Sequence, residues 1–167
     1  MLRVGLFSDT HSYLDPEIFK VFAECDEVWH AGDVGRVEII DELEAFKPTF
    51  GVYGNIDNKD VRATWPLDLH LNREGMNVYM THIAGKPYRY YKRAKKIIEE
   101  SKPDLVICGH SHILKVMHDK SLNHLHMNPG AAGHHGFHLM RTAIRFSINK
   151  GRIENAEVIE LGKRGRK

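Results

Sequence analysis

The feature of this sequence that most restricts its fold is a series of short apolar runs, each followed at once by Asp, His or Asn. Three of these runs lie in the first third of the chain, separated by two segments with helical apolar spacing. The runs predict strands at Leu2–Phe7, Val28–Ala31 and Thr49–Tyr53, and the segments predict helices over Pro16–Ala23 and Val37–Phe46. Strands and helices in this alternating order indicate a parallel sheet with helices outside it.

The second half of the chain has a different pattern. Met76–Met80 and Asp104–Cys108 predict strands on either side of a basic amphipathic helix, Tyr88–Glu100. Four further strands, joined by short turns, are predicted at Lys115–His118, Leu125–Asn128, His138–Ile148 and Arg152–Leu161. A parallel α/β half followed by a mostly antiparallel β half predicts two sheets that pack face to face.

Length and charge fit one globular domain. The chain has 167 residues, 42% of them hydrophobic, which is enough for one sizeable core. We expect a single domain over residues 1–162 and a solvated basic tail over residues 163–167, with a weak contact between this tail and a polyanion as the alternative. The tail holds four of the basic side chains behind the net charge of +2, so the rest of the chain gives no reason to predict nucleic-acid binding.

Cysteine use and hydropathy predict the compartment. The two cysteines, Cys25 and Cys108, form neither a disulfide framework nor a zinc-type spacing. The first residues reach a charge too early for a signal peptide, and no apolar run approaches membrane-spanning length. These features predict a cytoplasmic protein that does not associate with membranes.

The polar residues that follow the predicted strands are candidate metal ligands. In chain order, the five sets are Ser8-Asp9-Thr10-His11, His30-Ala31-Gly32-Asp33, Gly54-Asn55-Ile56-Asp57, Met80-Thr81-His82 and Gly109-His110-Ser111-His112. The carboxyl ends of parallel strands meet at one edge of a sheet, so we expect these side chains to converge. Seven convergent ligands are too many for one ion, and mixed carboxylate and imidazole ligands suit Mn, Fe or Zn better than Mg or Ca. Asp33, flanked by Gly32 and Gly35, is the best candidate to bridge two ions.

Taken together and in this order, the motifs resemble those of the calcineurin-like metallophosphoesterases, whose pattern is D-x-H, G-D, G-N-H-D/E, a lone H and G-H-x-H. The resemblance covers about residues 4–133 and includes Asn128-Pro129-Gly130, which is similar to a turn of the small single-domain members. It is strongest to the short bacterial and archaeal phosphodiesterases and to the retromer scaffold subunit that shares their fold. It implies an α/β fold of four layers, an α/β/β/α sandwich in which two mixed β-sheets pack face to face with helices outside.

The resemblance also implies a division of the ligands between two divalent cations. Asp9, His11 and His112 would hold the first cation, with Asp33 bridging, and Asn55, His82 and His110 would complete the second. Four of these residues would also be catalytic: Asp33, Asn55, His82 and His110. Asp57 would orient a histidine ring rather than bind metal. His110 and His112, two positions apart in an extended chain, would point to one side and take one cation each.

The implied activity is hydrolysis of a phosphodiester by a hydroxide that bridges the two cations. Mn²⁺ is the favoured metal, with Ni²⁺, Zn²⁺ and Fe as alternatives, and the substrate would be a small phosphoester or a nucleotide-like molecule. No dinucleotide-binding, Walker A or nucleophile-elbow motif points to another enzyme class. A homo-oligomer is left open.

Two positions depart from the family pattern. Ile56 stands where the wider superfamily has a histidine that protonates the leaving group, which favours diesters with good leaving groups; His134 or His135 is the candidate replacement acid. After His82 the chain has Ile83-Ala84-Gly85 where glycine usually comes next. A phosphomonoesterase, or a metal-binding scaffold that docks partner proteins without catalysis, is the alternative function.

Overall fold

The protein is built on two five-stranded mixed sheets, seen in a computed structural model that describes residues 1–165. The strands of the first sheet are β1 (Leu2–Phe7), β2 (Glu27–His30), β3 (Thr49–Gly51), β11 (Met140–Asn149) and β12 (Arg152–Lys163). Their order across the sheet is β12-β11-β1-β2-β3. β1, β2 and β3 are parallel, whereas β11 runs antiparallel to both β1 and β12.

The second sheet has the same mixed character. Its strands are β4 (Asp68–Arg73), β5 (Met76–Thr81), β8 (Leu105–Ile107), β9 (Lys115–Asp119) and β10 (His124–Asn128), in the order β4-β5-β8-β10-β9. β5, β8 and β10 are parallel, and the two edge strands are antiparallel to their neighbours. A separate two-stranded hairpin, β6 (Gly85–Lys86) and β7 (Arg89–Tyr90), follows β5.

Four short helices cover the outer faces of the two sheets. They are α1 (Glu17–Val21), α2 (Glu38–Phe46), α3 (Lys59–Thr64) and α4 (Lys92–Ser101). The first three pack on the first sheet, and α4 packs on the second through Ile98 against Tyr79 and Val106. None of the helices within residues 1–165 has the length and apolar character to cross a bilayer.

The period-two alternation of the buried strands separates two apolar layers. Val4 and Leu6 point between the sheets, where they join Trp29, Met80 and Ile107. Phe7, the neighbour of Leu6, points to the other face and packs under the helices. The four-layer α/β/β/α sandwich that the sequence predicted is therefore confirmed.

The sequence prediction was wrong in three places. The helix expected over Tyr88–Glu100 begins only at Lys92, because Arg89 and Tyr90 pair with Gly85 and Lys86 in the hairpin. Neither α3 nor β4 was predicted, although the side chain of Asn58 caps α3 by accepting from the amides of Asp60 and Val61.

The expected tail is partly ordered. β12 continues to Lys163, one residue beyond the expected domain boundary. Arg164 is also held, since its backbone N–H donates to the Leu139 carbonyl and its Nε to the His138 carbonyl. Residues 166–167 of the predicted tail lie outside the described residues.

Candidate metal centre

The seven predicted ligands lie together at the end of the molecule where both sheets present the carboxyl ends of parallel strands. Asp9 and His11 follow β1, Asp33 follows β2, and Asn55 follows β3; His82 follows β5, and His110 and His112 follow β8. The strands that precede the ligands thus come from both sheets. In the chain, β4 lies between β3 and β5, and the β6–β7 hairpin lies between β5 and β8. Convergence results from the packing of the two sheets as well as from the parallel order within each.

The ligand atoms form two groups of three. One comprises Asp9, His11 and His112, and the other Asp33, His82 and His110; within each group every ligand atom lies within 4.8 Å of the others. Asn55 joins the second group, because its Oδ1 is 3.0 Å from Nδ1 of His110. This grouping matches the predicted division, and the role of each side chain as a metal ligand stays a prediction.

Each carboxylate has one oxygen fixed by the chain and one that faces the imidazoles. Asp9 Oδ2 accepts from Ser8 Oγ at 2.7 Å and from the His110 amide at 3.2 Å, which leaves Oδ1 facing His112 Nε2 at 3.2 Å. Asp33 Oδ1 accepts from the Ile56 amide at 3.1 Å. Its Oδ2 lies 3.2 Å from His82 Nε2 and 3.4 Å from His11 Nε2. One oxygen of Asp33 is therefore close to a nitrogen from each group.

His82 shows most clearly that the centre suits cations. Its Nδ1 donates to the Ala31 carbonyl at 2.7 Å, so in the neutral ring Nε2 is an unprotonated lone pair. That lone pair faces Asp33 Oδ2 at 3.2 Å and Asp9 Oδ1 at 3.8 Å. His82 Nε2, His11 Nε2 and Asp9 Oδ1 are buried and have no hydrogen-bond partner. Unpaired buried lone pairs that point at one another are costly unless a cation lies between them, and these donor atoms suit a transition metal.

The pKa values of the site residues follow from the same arrangement. Burial raises the pKa of Asp9, but the adjacent His11 and His112 rings outweigh burial and hold this pKa well below its usual range. Burial likewise opposes a net lowering of the pKa of Asp33, for which His82 is the main cause. For His82, burial lowers the pKa, but Asp33 and Asp9 reverse the effect and leave the pKa raised. The site thus stabilises positive charge among its carboxylates.

The backbone of the centre is unusual. Asp9, His11, Asp33, His110 and His112 all have φ between 45° and 72°, a left-handed conformation that residues other than glycine adopt rarely. Such conformations persist where the surrounding structure imposes them, and they are frequent at functional sites. His110 and His112 are therefore not the extended pair we expected; each turns separately, toward the second and the first ligand group.

Glycines next to the ligands are required by close packing. A Cβ on Gly109 would lie 2.2 Å from Ser8 Oγ and 2.7 Å from Asp9 Oδ2, and a Cβ on Gly54 would lie 2.0 Å from Asp33 Oδ1. The G-H and G-N pairs of the sequence motifs therefore place ligands on loops that pass against the carboxylates of other loops.

Asp57 has a different structural role from the one expected. Its oxygens accept from the backbone amides of Val34, Gly35 and Gly54 at 3.2, 2.8 and 2.7 Å, rather than from a histidine ring. The carboxylate thus joins the loop that carries Asp33 to the loop that carries Asn55. Its effect on the ligands is exerted through the backbone.

Two further residues, Ser8 and His30, support the ligands. Ser8 fixes Asp9 through its hydroxyl, as described above. His30 Nδ1 accepts from the Gly32 amide at 3.1 Å, so its Nε2 carries the proton and donates to Thr10 Oγ1 at 3.0 Å. Both residues belong to the ligand motifs of the sequence, S-D-T-H and H-A-G-D. Only the fold shows what their side chains contact.

Ile56 and two histidines lie around the open side of the centre. Ile56, which is 45% exposed, lines a cleft of about 510 Å³ together with Asp33, Asn55 and His110. His135 borders the same cleft and stacks on His11, with ring centroids 4.7 Å apart. His134 packs instead against Tyr13. Of the two candidate replacement acids, only His135 lies at the cleft.

This fold and the sequence motifs define the class of protein. The sequence model of the calcineurin-like phosphoesterase superfamily domain matches residues 2–151, and the chain belongs to that superfamily. It is 28% identical over 137 residues to a probable metallophosphoesterase of Methanothermobacter thermautotrophicus, a match that covers 78% of this chain and 77% of the relative.

Solved structures show the same fold. An archaeal phosphodiesterase superposes with a TM-score of 0.75 at 20% identity, covering 96% of this chain and all of the other. Vps29 of Entamoeba histolytica, in complex with Zn²⁺, superposes with a TM-score of 0.70 at 17% identity, covering 95% of this chain and 99% of the other. At these identities the likeness concerns the fold alone.

Proposed function

We propose that this protein is a phosphodiesterase that works with two divalent cations. The observation that carries the proposal is a set of buried potential metal-ligand atoms, on His82, His11 and Asp9, that have no hydrogen-bond partner among the described residues. Membership of the calcineurin-like superfamily supports a metal-dependent phosphoesterase. The similarity in fold to an archaeal phosphodiesterase supports the narrower choice of a diester as substrate.

In this proposal Asp9, His11 and His112 hold one cation and Asn55, His82 and His110 hold the other. Asp33 would be shared between the two cations, since its Oδ2 lies near a nitrogen of each group. Mn²⁺ is the favoured ion, since the donors are oxygens and imidazole nitrogens, and Ni²⁺, Zn²⁺ and Fe²⁺ are alternatives with the same ligand preferences. Zn²⁺ in the Vps29 structure supports this group of metals.

The chemistry of two bound cations is to lower the pKa of a coordinated water and to polarise phosphoryl oxygens. The chain's own residues position the substrate around them. Asn55 Oδ1 is near His110, while its amide nitrogen makes no hydrogen bond within residues 1–165 and is free to donate to a phosphoryl oxygen. The left-handed loops fix the carboxylates before substrate arrives, which is preorganisation of the site.

The surroundings of the cleft favour diesters with good leaving groups. Ile56 offers no proton to a leaving oxygen. Ile56, Ile113 and Phe137, which are 45%, 62% and 102% exposed, form an apolar rim around the carboxylates and imidazoles. A diester carries two organic groups and can use such a rim, whereas a small monoester has only one.

The activity test compares two nitrophenyl substrates. Protein stripped of metal is reloaded with Mn²⁺, Ni²⁺ or Zn²⁺ separately and assayed on bis(4-nitrophenyl) phosphate and on 4-nitrophenyl phosphate. We expect turnover that requires added metal, with the diester preferred. Absence of turnover with every metal, when elemental analysis shows full loading, would overturn the enzyme proposal; a preference for the monoester would support a phosphomonoesterase.

A series of aryl leaving groups tests the consequence of Ile56. With no acid at this position, rates for diesters of phenols with increasing pKa should fall steeply. A flat series would show that another residue protonates the leaving group. His135→Ala would then identify it if the mutation made the series steep.

The second candidate function is a metal-binding scaffold that docks partner proteins. The similarity in fold to Vps29 and the isoleucine at position 56 favour it. A protein that binds both cations but turns over none of the diesters would fit this alternative. We also propose a cytoplasmic location, since both cysteines are free and buried and a reducing compartment would keep them so.

A further inference from the structure

A second cavity adjoins the metal centre and has a different lining. It encloses about 320 Å³ between the β6–β7 hairpin and the loop after β8, and we call it the hairpin pocket. It shares His110, Ser111 and Ile113 with the cleft over the metal centre, so the two adjoin at the second ligand group. Its other lining residues include Lys86, Arg89, Tyr91, Ile113 and Lys115.

Three positively charged side chains border this pocket and have no acidic partner among the described residues. Within residues 1–165, no carboxylate forms an ion pair with Lys86, Arg89 or Lys115, which all line the pocket. Lys86 and Arg89 are also direct cross-strand partners in the hairpin. Like charges opposite one another destabilise a pair of strands, so this arrangement is unfavourable unless an anion lies between or beside them.

Hydrogen bonds with Asp119, His124 and His126 hold the hairpin that carries Lys86 and Arg89. Asp119 accepts from the Tyr88 amide in the hairpin turn at 2.9 Å, while its other oxygen accepts from Ser121 and Leu122. Tyr90 is anchored by its hydroxyl, which lies 2.7 Å from His124 Nε2 and 2.8 Å from His126 Nδ1. Among the described residues, Asp119 holds the hairpin through these amides and forms no ion pair with Lys86 or Arg89.

The charge and the lining indicate what the pocket binds. We propose that the hairpin pocket binds a second phosphate of the substrate, together with the sugar or ring that bears it, while the scissile phosphodiester lies at the metal centre. Lys86 and Arg89 would contact this phosphate from the hairpin and Lys115 from the opposite wall. The apolar parts of Ala84, Tyr91 and Ile113 would contact the organic group. A volume of about 320 Å³ is at the lower end of the range for pockets that hold organic ligands.

This inference rests on the proposed function and narrows it to nucleotide-like diesters that carry a further phosphate. It predicts a preference between two substrates that differ by one group: thymidine 5′-(4-nitrophenyl phosphate) with and without a 3′-phosphate. The metal-loaded enzyme should show a kcat/KM roughly tenfold or more higher for the 3′-phosphorylated substrate, mainly through KM, because charge-assisted hydrogen bonds to the added phosphate are made on binding.

Variants of the hairpin show whether Lys86 and Arg89 cause the preference for the 3′-phosphorylated substrate. In Lys86→Ala/Arg89→Ala the ratio of the two kcat/KM values should fall to within about twofold of one. Lys92→Ala is the matched control, since Lys92 is an exposed lysine three residues beyond Arg89 and outside the pocket lining, and it should keep the wild-type ratio. Turnover of both substrates with no preference in the wild type, or a preference that the double variant retains, would overturn the inference and leave the phosphodiesterase proposal intact.

A binding measurement separates failure of the inference from failure of the proposed function. If neither substrate is turned over, calorimetric titration with thymidine 3′,5′-bisphosphate is compared between the wild type, Lys86→Ala/Arg89→Ala and Lys92→Ala. Binding that is lost only in the double variant would support the pocket although the enzyme proposal had failed. Absence of binding to the wild type, or equal binding to all three proteins, would contradict it.

Discussion

His82 and His126 are equally buried, at 1% exposure each, but their pKa values move in opposite directions. Burial lowers both, yet Asp33 and Asp9 beside His82 raise its pKa above the ordinary value. Within residues 1–165 no carboxylate forms an ion pair with His126, and burial, with smaller effects of His124 and Lys115, lowers its pKa to about 4. The charge of the neighbouring groups, rather than the degree of burial, decides in which direction the pKa of each histidine ring shifts.

The difference between their surroundings separates two kinds of histidine cluster at the same end of the molecule. Around His82, imidazole nitrogens face carboxylate oxygens, an arrangement that stabilises a cation. Around His126, the Tyr90 hydroxyl lies within 2.8 Å of His126 and 2.7 Å of His124, and the rings stay neutral. The first cluster suits metal binding and the second holds the hairpin in place.

The largest expected effect follows removal of the shared carboxylate. Asp33→Ala should lower diesterase activity by about 10³-fold or more and reduce metal content, since both ligand groups lose an oxygen. Metal analysis and single-substrate kinetics measure the two losses. Asp33→Asn, which keeps the shape of the side chain, should show similar losses in a folded protein, and Asp60→Ala on the surface should show neither. Full activity of Asp33→Ala would disprove its bridging role.

A smaller and more selective change tests the division between the two groups. His110→Ala should lose the cation near Asn55 and His82, while His112→Ala should lose the cation near Asp9 and His11. In each variant about one cation should remain per chain, measured by elemental analysis after gel filtration. His118→Ala, an exposed histidine on β9, is the control and should retain two. Loss of both cations from both variants would mean that the two positions do not bind independently.

Acid should destabilise the metal-free protein through its neutral histidines. His30 and His126 each have a pKa of about 4 in the folded protein, against 6.5 for an exposed ring. Between these values the unfolded chain takes up protons that the folded chain does not, so the free energy of unfolding should fall from pH 6.5 to pH 4. The loss is at most about 1.4 kcal/mol per pKa unit for each ring. Carboxylates with lowered pKa values act below this window, since their ordinary pKa is 3.8.

Urea unfolding at a series of pH values, with EDTA present, measures this dependence. His126→Gln should flatten the curve by removing one of the histidine rings whose pKa is lowered. A free energy of unfolding that stayed constant or rose on acidification would contradict the assignment of neutral, buried rings.

The smallest expected effect is a loss of stability when the Tyr90 hydroxyl is removed from the cluster it forms with His124 and His126. Tyr90→Phe removes the group that joins His124 and His126 and leaves buried ring nitrogens without a partner, so unfolding should become easier by about 1–3 kcal/mol. Metal content should be unchanged. Tyr88→Phe is the matched control: its hydroxyl accepts from the Lys120 amide at an exposed site, and the change should stay within about 0.5 kcal/mol. Loss of metal from Tyr90→Phe would show that the two clusters are coupled.

The same comparison shows why the sequence predicted one cluster and not the other. The metal-centre residues follow strands in a fixed order, and the strand pattern is legible because Val4, Leu6, Met80 and Ile107 alternate with residues of the outer faces. The family resemblance then supplied the division of ligands. His124, His126 and Tyr90 have no such spacing, because β7 and β10 are brought together only by tertiary packing.

Local sequence also could not predict the conformations within the centre. His110 and His112 both have a left-handed backbone, and the His110 amide donates to Asp9 on a loop distant in sequence, so the expected extended pair was wrong. The two-residue strands of the hairpin are too short to show a period, and the basic helix pattern concealed them. The amide partners of Asp57 come from loops that the sequence alone cannot bring together.

The proposed function requires two cations that lie side by side and share Asp33. Electron paramagnetic resonance of metal-free protein loaded with two equivalents of Mn²⁺ tests it directly, because neighbouring Mn²⁺ ions bridged by a ligand are exchange-coupled. The wild type should give a coupled spectrum, and His110→Ala should give an isolated, six-line Mn²⁺ signal instead. An uncoupled six-line spectrum from the wild type at full loading would contradict it.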